Sequence, residues 1–213
     1  MLKKRYAVLI ADVIGSSSRR NLRALLTARL ENATRAHRLA KSIRLPYAVT
    51  AGDEFQTILG SKVNVAELIF DLRLRLRPLR LRIGVGFGGL TGRIQSPVNA
   101  MGGEAFQRAR QALESLKAGS SKYPVLTAFR SNQETFDSTA NLIYALQDTL
   151  LLSITSKQWN TIQAFRDKRS LARTAKLLRL DLSTVSRNLK RSYFWQIERT
   201  IAGMDRLIRA SRV

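Results

Sequence analysis

Three carboxylates stand where two apolar runs meet polar sequence. Asp12 closes Tyr6-Ala-Val-Leu-Ile-Ala, while Asp53 and Glu54 directly precede Phe55-Gln-Thr-Ile-Leu. Acids are scarce in this chain, 15 Asp and Glu against 37 Lys and Arg, so carboxylates spent at two strand ends mark a candidate site. Carboxylates brought together by neighbouring strands repel one another, and a divalent cation between them removes that cost. Mg²⁺ suits carboxylate and phosphate oxygens. Asp12 and Asp53 are therefore candidate ligands for Mg²⁺ or Mn²⁺. Ile14, Gly15, Ser16 and Ser17 open the next helix and are candidates to hold phosphate at its positive end. The competing reading is that the acids only cap turns or helices.

The elements that must position these residues follow from periodicity. Residues 6–14 form a continuous apolar run, the pattern of a strand buried on both faces. Gly15-Ser-Ser-Ser18 supplies a turn and N-cap candidates for a helix over 19–43, with Leu22, Leu25, Leu26, Leu30, Ala33 and Ala36 at helical spacing. Residues 47–50 and 55–59 make a hairpin whose turn, Ala51-Gly52-Asp53-Glu54, needs its glycine. A helix over 63–76 and a strand over 81–88 follow. Glycines 84, 86, 88 and 89 in that strand mark a backbone that passes close to a ligand or to a packed helix. A helix over 102–117, an edge strand over 123–129 and a helix over 133–152 complete the order. It predicts an α+β fold of ferredoxin-like type, with the helices on one face of the sheet. The alternating stretch Leu72 to Arg82 reads as a solvated basic face.

Composition removes several chemistries. Cysteine is absent, which excludes disulfides, thiolate metal sites and Cys nucleophiles and suits a reducing cytoplasm. The single His37 lies in an Arg-rich helical stretch, so a His-based zinc site is excluded and the residue reads as a helix-surface side chain. No apolar run reaches the roughly 18–20 residues of a membrane span, and Leu2-Lys-Lys-Arg5 leads into a strand, not a signal-peptide core. These features predict a cytoplasmic protein. The formal charge of +22 favours polyanionic partners, nucleic acid or an anionic lipid surface, without specifying sequence.

Four segments, Ala11-Asp-Val-Ile-Gly-Ser16, Gly52-Asp-Glu-Phe55, Arg82-Ile-Gly-Val-Gly86 and Gly102-Gly-Glu-Ala-Phe-Gln-Arg-Ala-Arg110, carry a resemblance. In their order and spacing the chain resembles the palm-type catalytic domain of class III nucleotidyl cyclases and diguanylate cyclases, and most closely the bacterial SatD family. The resemblance implies that Asp12 and Asp53 are the two metal-binding aspartates, that the loop after Asp12 covers a triphosphate, and that Arg110 is the catalytic arginine that stabilises the transition state. It also implies a nucleoside triphosphate or cyclic nucleotide as ligand. Three positions depart from the cyclase pattern. Phe106 stands where an orienting asparagine is usual, Val49 replaces a purine-reading lysine, and Asn99 replaces the aspartate that reads the base. Loss of one oriented transition-state donor costs on the order of 10² to 10³ in rate, which favours nucleotide binding without cyclisation.

Residues 156–194 carry a second signal. A helix at 156–165 precedes Ser170 to Leu178, a short turn at Arg179-Leu-Asp181, and Leu182 to Arg191, the pattern of an all-α helix-turn-helix domain like those of bacterial regulators and sigma-factor carboxyl-terminal regions. Ala175 fits a close helix crossing, and Leu178, Leu180, Val185 and Leu189 are its predicted shared core. Ser183, Thr184, Ser186, Arg187, Lys190 and Arg191 face away from that core, suited to base edges and phosphates of DNA. Arg179 occupies a position where glycine is common because φ is positive. A last helix carries Ile201, Met204, Leu207 and Ile208 on one side. That stripe packs on its own domain or pairs two chains into a homodimer. The division expected is 1–150 for the cyclase-like palm and 151–213 for the helix-turn-helix. Three functions remain in view: a nucleotide-sensing DNA-binding regulator, an active metal-dependent nucleotidyl cyclase or transferase, and a basic structural adaptor.

Overall fold

A computed structural model describes residues 5–16, 21–50, 52–118 and 124–213. A five-stranded sheet in the order β2-β3-β1-β4-β5 organises the first two thirds of the chain. β1 (Tyr6–Val13) lies at its centre, antiparallel to β3 (Phe55–Ile58) and to β4 (Leu81–Gly88). β2 (Ala48–Val49) pairs antiparallel with β3, and β5 (Thr127–Arg130) runs parallel to β4 as the expected edge strand. Between them lie α1 (Leu22–Leu39), α2 (Val65–Leu76) and α3 (Glu104–Ala118), and β5 is followed by α4 (Glu134–Ser153). The element order is the one predicted, and the fold is mixed α+β.

Helices cover both faces of the sheet, not one. Leu9, Ala11 and Val13 of β1 share a core with Leu26 and Leu30 of α1 and with most of α2, whereas Val8 and Ile10 pack with Ala105, Phe106, Ala109 and Leu113 of α3. Alternate residues of one apolar strand therefore feed two cores, which is why the run shows no polar alternation. The glycines of β4 explain the approach of α3. An added Cβ at Gly84 would lie 2.3 Å from the Ala109 carbonyl oxygen, and one at Gly86 would lie 2.2 Å from the Ala105 oxygen and the Ala109 nitrogen. The element passing close to this strand is a helix of the chain itself.

α4 closes the open edge of β5 with its side chains. Asn141 Oδ1 accepts from the Phe129 N–H at 2.7 Å and its Nδ2 donates to the Phe129 carbonyl at 3.1 Å. Asp148 Oδ2 accepts from the Leu126 N–H at 2.8 Å. An edge strand whose backbone groups are satisfied in this way offers no template for further pairing. The stretch from Leu72 is helical to Leu76 and is not a solvated face: Arg73 is buried, donating to the Leu81 and Leu126 carbonyls and to Thr127 Oγ1.

α1 begins at Leu22, later than expected, with Asn21 in the left-handed region and no side-chain cap. Ser17 and Ser18, two of the cap candidates, Ala51 of the hairpin turn and Tyr123 of the edge strand lie outside the described residues. The carboxyl-terminal third is helical: α5 (Ser156–Lys168), α6 (Leu171–Leu178), α7 (Leu182–Arg191) and α8 (Phe194–Ser211). The sequence boundary at 150/151 falls in the last turn of α4. α8 packs on α2 and α4, and its Phe194, Ile197, Ile201 and Met204 are buried in the same cluster as the sheet core. The apolar stripe of the last helix is thus spent within its own chain. Trp159 of α5 packs on Phe70 of α2 with ring centroids 5.8 Å apart, and Arg166 joins Glu67 of α2 to Glu198 of α8.

Candidate functional site

The even-numbered residues of β1 and β3 face α3, and the acids follow that parity. Asp12 is buried at the end of β1, opposite Arg82 in the β4 register. Arg82 Nε donates to Asp12 Oδ1 at 2.9 Å, and Lys117 Nζ lies 3.6 Å from Oδ2. Glu54 is also buried and sits one step beyond the Ala11–Phe55 pair, beside Asp12. Arg110 of α3 grips both Glu54 oxygens, with Nη2 donating to Oε1 at 2.6 Å, and Thr50 Oγ1 donates to Oε1 at 2.9 Å. Lys117 also donates to Glu114 Oε1 at 3.0 Å. Asp53 lies in the hairpin turn, half-exposed, and among the described residues makes no ion pair. The turn does use its glycine: Gly52 has φ 59°.

The acid that shares a face and a cation cluster with Asp12 is thus Glu54, with Asp53 one residue outside it. Burial alone would raise the Glu54 carboxyl, but the hydrogen bonds from Arg110 and Thr50 and the charges of Arg110 and Lys117 outweigh it and hold the group below its ordinary value of 4.5. A depressed folded value means that this pairing stabilises the fold fully above 4.5 and is lost as pH falls through the depressed value. Glu54→Gln is therefore expected to flatten the acid limb of stability between about pH 5 and 2, measured by urea unfolding at a series of pH values. Superimposable limbs for the variant and the parent would contradict the pairing.

The oxygens of the acid pair are already matched by cations of the chain. Both oxygens of Asp12 and both of Glu54 face basic side chains of the chain itself, and among the described residues no group of three or more acids or histidines is placed to hold a metal. A hard cation needs carboxylate oxygens not already matched by guanidinium or ammonium. Asp12 and Glu54, so arranged, do not fit a Mg²⁺ site, and Asp53, the other acid expected as a ligand, stands outside the pair. The loop after Asp12 is also partly committed, since the Ile14 N–H donates to the Arg80 carbonyl at 2.8 Å. Gly15 takes φ 70°, while Ser17 lies outside the described residues. Two positions that depart from the cyclase pattern meet: Asn99 Nδ2 donates to the Val49 carbonyl at 3.3 Å. Phe106 is buried against the sheet.

His37 is not on the surface. It is buried between Tyr47, whose Oη lies 2.7 Å from Nδ1, and Asp71, whose Oδ2 lies 2.8 Å from Nε2. An ionised carboxylate only accepts, so Nε2 carries the hydrogen, and burial keeps the Tyr47 hydroxyl protonated by raising its pKa. Burial would raise Asp71, yet the hydrogen bonds from His37 and Arg75 hold it low. Helical periodicity could not find this trio, because its members come from α1, the segment before β2, and α2.

In the carboxyl-terminal helices, Ala175, Val185 and Leu189 are buried as expected. Leu178 is half-buried, but Leu180 is 39% exposed and does not belong to that core. Arg179 adopts φ 54°, ψ 47° at the end of α6, so the turn takes a left-handed residue without glycine, at a cost of about 1–2 kcal/mol. Asn188 Nδ2 donates to Thr161 Oγ1 at 3.1 Å, tying α7 to α5. Ser183, Ser186, Arg187, Lys190 and Arg191 are exposed and Thr184 half-exposed. Among the described residues, none of the three cations on this face makes a salt bridge.

These features define an α+β protein with an internally neutralised acid pair beneath α3 and a carboxyl-terminal helical set that presents unpaired cations. A SatD family profile matches residues 6–201, and the chain belongs to the SatD family. No curated protein matches it. Among solved structures it is similar to a bacterial light-regulated adenylyl cyclase at 17% identity and TM-score 0.40, over 59% of this chain and 74% of that one. A second structure of such a cyclase matches at 17% and TM-score 0.43, over 59% and 42%. A regulator of polyketide synthase expression from Bifidobacterium adolescentis matches at 16% and TM-score 0.29, over 96% and 86%. Likenesses this loose assign no part of the site. Among the described residues no helix is long and apolar enough to cross a membrane.

Proposed function

We propose that this protein is a DNA-binding regulator whose α+β part, residues 1–150, is a palm-like unit that senses a nucleotide, and whose residues 151–213 are a helix-turn-helix domain. The observation that carries the reading is the division of α7. Val185 and Leu189 are buried, while Arg187, Lys190 and Arg191 are exposed and unpaired. The guanidinium groups of Arg73, Arg82, Arg110 and Arg166, by contrast, are held by carboxylates of the chain itself. Unpaired cations beside Ser183, Thr184 and Ser186 on one helix face suit phosphates and base edges of the major groove. A basic adaptor for membranes or acidic proteins would not need that mixture of hydroxyl and cation on a single helix.

In this reading the acid pair is a competitor for the ligand, not a metal cage. A polyphosphate would take Arg110 from Glu54 and Lys117 from Asp12, with Gly15, Ser16 and Ser17 along its phosphates and Asp53 at the rim. Ligand acts as a signal only if it favours one state of the protein over another. Arg110 engaged by Glu54, with Phe106 in place of an orienting amide, supports binding over turnover.

Fluorescence anisotropy with random-sequence duplex DNA at physiological salt tests the DNA half. Arg187→Ala with Lys190→Ala is expected to weaken binding by about 10- to 100-fold, with unchanged circular dichroism. Equal affinity in parent and double variant would remove α7 from the interface and leave the adaptor reading. Formation of a cyclic or transferred product from any nucleoside triphosphate with Mg²⁺ or Mn²⁺, abolished by Asp53→Asn, would replace the sensor by an enzyme.

A further inference from the structure

On the face of the sheet opposite α3, a cavity of about 540 Å³ opens between α1, the end of α2 and α5. Its polar lining is Arg29, Asn32, Arg75, Arg77, Asn160 and Gln163: three guanidinium groups and three carboxamides, with no acid among the described lining residues. Beside the cleft, Asp71 accepts from Arg75 Nε. Arg77 is set in place without a counter-ion. Its Nη1 donates to Asn160 Oδ1 at 3.2 Å, its Nη2 to the Ser156 carbonyl at 3.5 Å, and its guanidinium lies over the Trp159 ring at 5.4 Å. No carboxylate pairs with Arg77 or Arg29 among the described residues. Burial with no such partner lowers the Arg77 pKa, the direction an anion in the cleft would reverse.

We infer that this cleft binds a small phosphorylated ligand, held by Arg29, Arg75 and Arg77. Planar guanidinium groups match phosphate oxygens in pairs, the carboxamides supply neutral donors, and the volume lies within the range of small-molecule sites. The cleft joins α1 and α2, which cover the sheet, to α5, which leads the carboxyl-terminal helices. A ligand there bridges the two parts of the chain and stabilises their present packing by mass action. The inference does not depend on the reading of α7 or of the acid pair, which lies on the other face.

The test is calorimetric titration of the full chain with pyrophosphate at physiological salt, with Trp159 fluorescence as a second readout. Saturable binding is expected, weakened about 10- to 100-fold by Arg29→Gln and by Arg77→Gln, and within twofold of the parent in Arg199→Gln on exposed α8. Arg29 is exposed on α1, so its replacement decides the matter even if Arg77→Gln loosens the packing on Trp159. The inference is overturned by non-saturable binding, by parent-like affinity in Arg29→Gln, which would place the anion outside the cleft, or by equal weakening in Arg199→Gln. A duplex oligonucleotide that loses more affinity than pyrophosphate in Arg29→Gln would also overturn it, by making the cleft a DNA contact.

Discussion

Asp148→Ala is expected to destabilise the protein by about 3–5 kcal/mol, the cost of breaking a buried ion pair from one side. Asp148 is fully buried. It accepts from the Leu126 N–H at 2.8 Å and from Thr127 Oγ1 at 3.3 Å, and lies 3.7 Å from Arg73 Nη2. Burial pushes its carboxyl up, against the pull of Arg73, so the pair is held by geometry and not by cheap solvation. Removing the acid leaves Arg73 charged inside the core and the Leu126 amide without its acceptor. In a chain of this size that loss corresponds to a fall in Tm on the order of 10 °C. The pairing also makes a coupled prediction: Arg73→Met with Asp148→Leu loses less than the sum of the two single changes. A cost under about 1 kcal/mol for Asp148→Ala, measured by urea unfolding, would show that β5 and α4 are not joined in this way.

Gly86→Ala is expected to cost about 3 kcal/mol, at the upper end of what one inserted methyl group usually costs in a packed core. The added carbon would meet backbone atoms, the Ala105 oxygen and the Ala109 nitrogen, both at 2.2 Å. Backbone cannot turn aside as a side chain does, so α3 must lift from β4. Arg110 and Lys117 ride on α3, and a lifted helix loosens their hold on Glu54 and Asp12. The variant should therefore lose stability and also lose part of the acid dependence attributed to Glu54. Parent-like thermal unfolding for Gly86→Ala would contradict the close approach of α3 on which the site geometry rests.

Much of this was legible in the residues themselves. Long apolar runs and helical spacing located β1, β4 and α1 to α8 in their order, and glycines in a strand correctly signalled a close neighbour. Their period of two, at residues 84, 86 and 88, also held the information that one helix occupies the face opposite α1 and α2. The site was harder. Asp53 drew attention as the acid of the turn, yet continuing the even parity of Gln56 and Ile58 back to 54 identifies Glu54 as the neighbour of Asp12. Arg73 and His37 were misread for a different reason. Each lies among other arginines in the sequence, and only partners on other elements, Asp148 for one and Asp71 and Tyr47 for the other, compensate their burial. Leu180 shows the reverse error: an apolar residue in a turn, counted into a core that closes without it.

The claim that α7 grips DNA phosphates is tested most directly by the salt dependence of affinity. Each phosphate contact releases counterions and adds about 0.9 to the slope of log K against log salt concentration. The account predicts a steep negative slope for the parent and a slope shallower by roughly 2 for Arg187→Ala with Lys190→Ala. Parallel lines for the two proteins would contradict it.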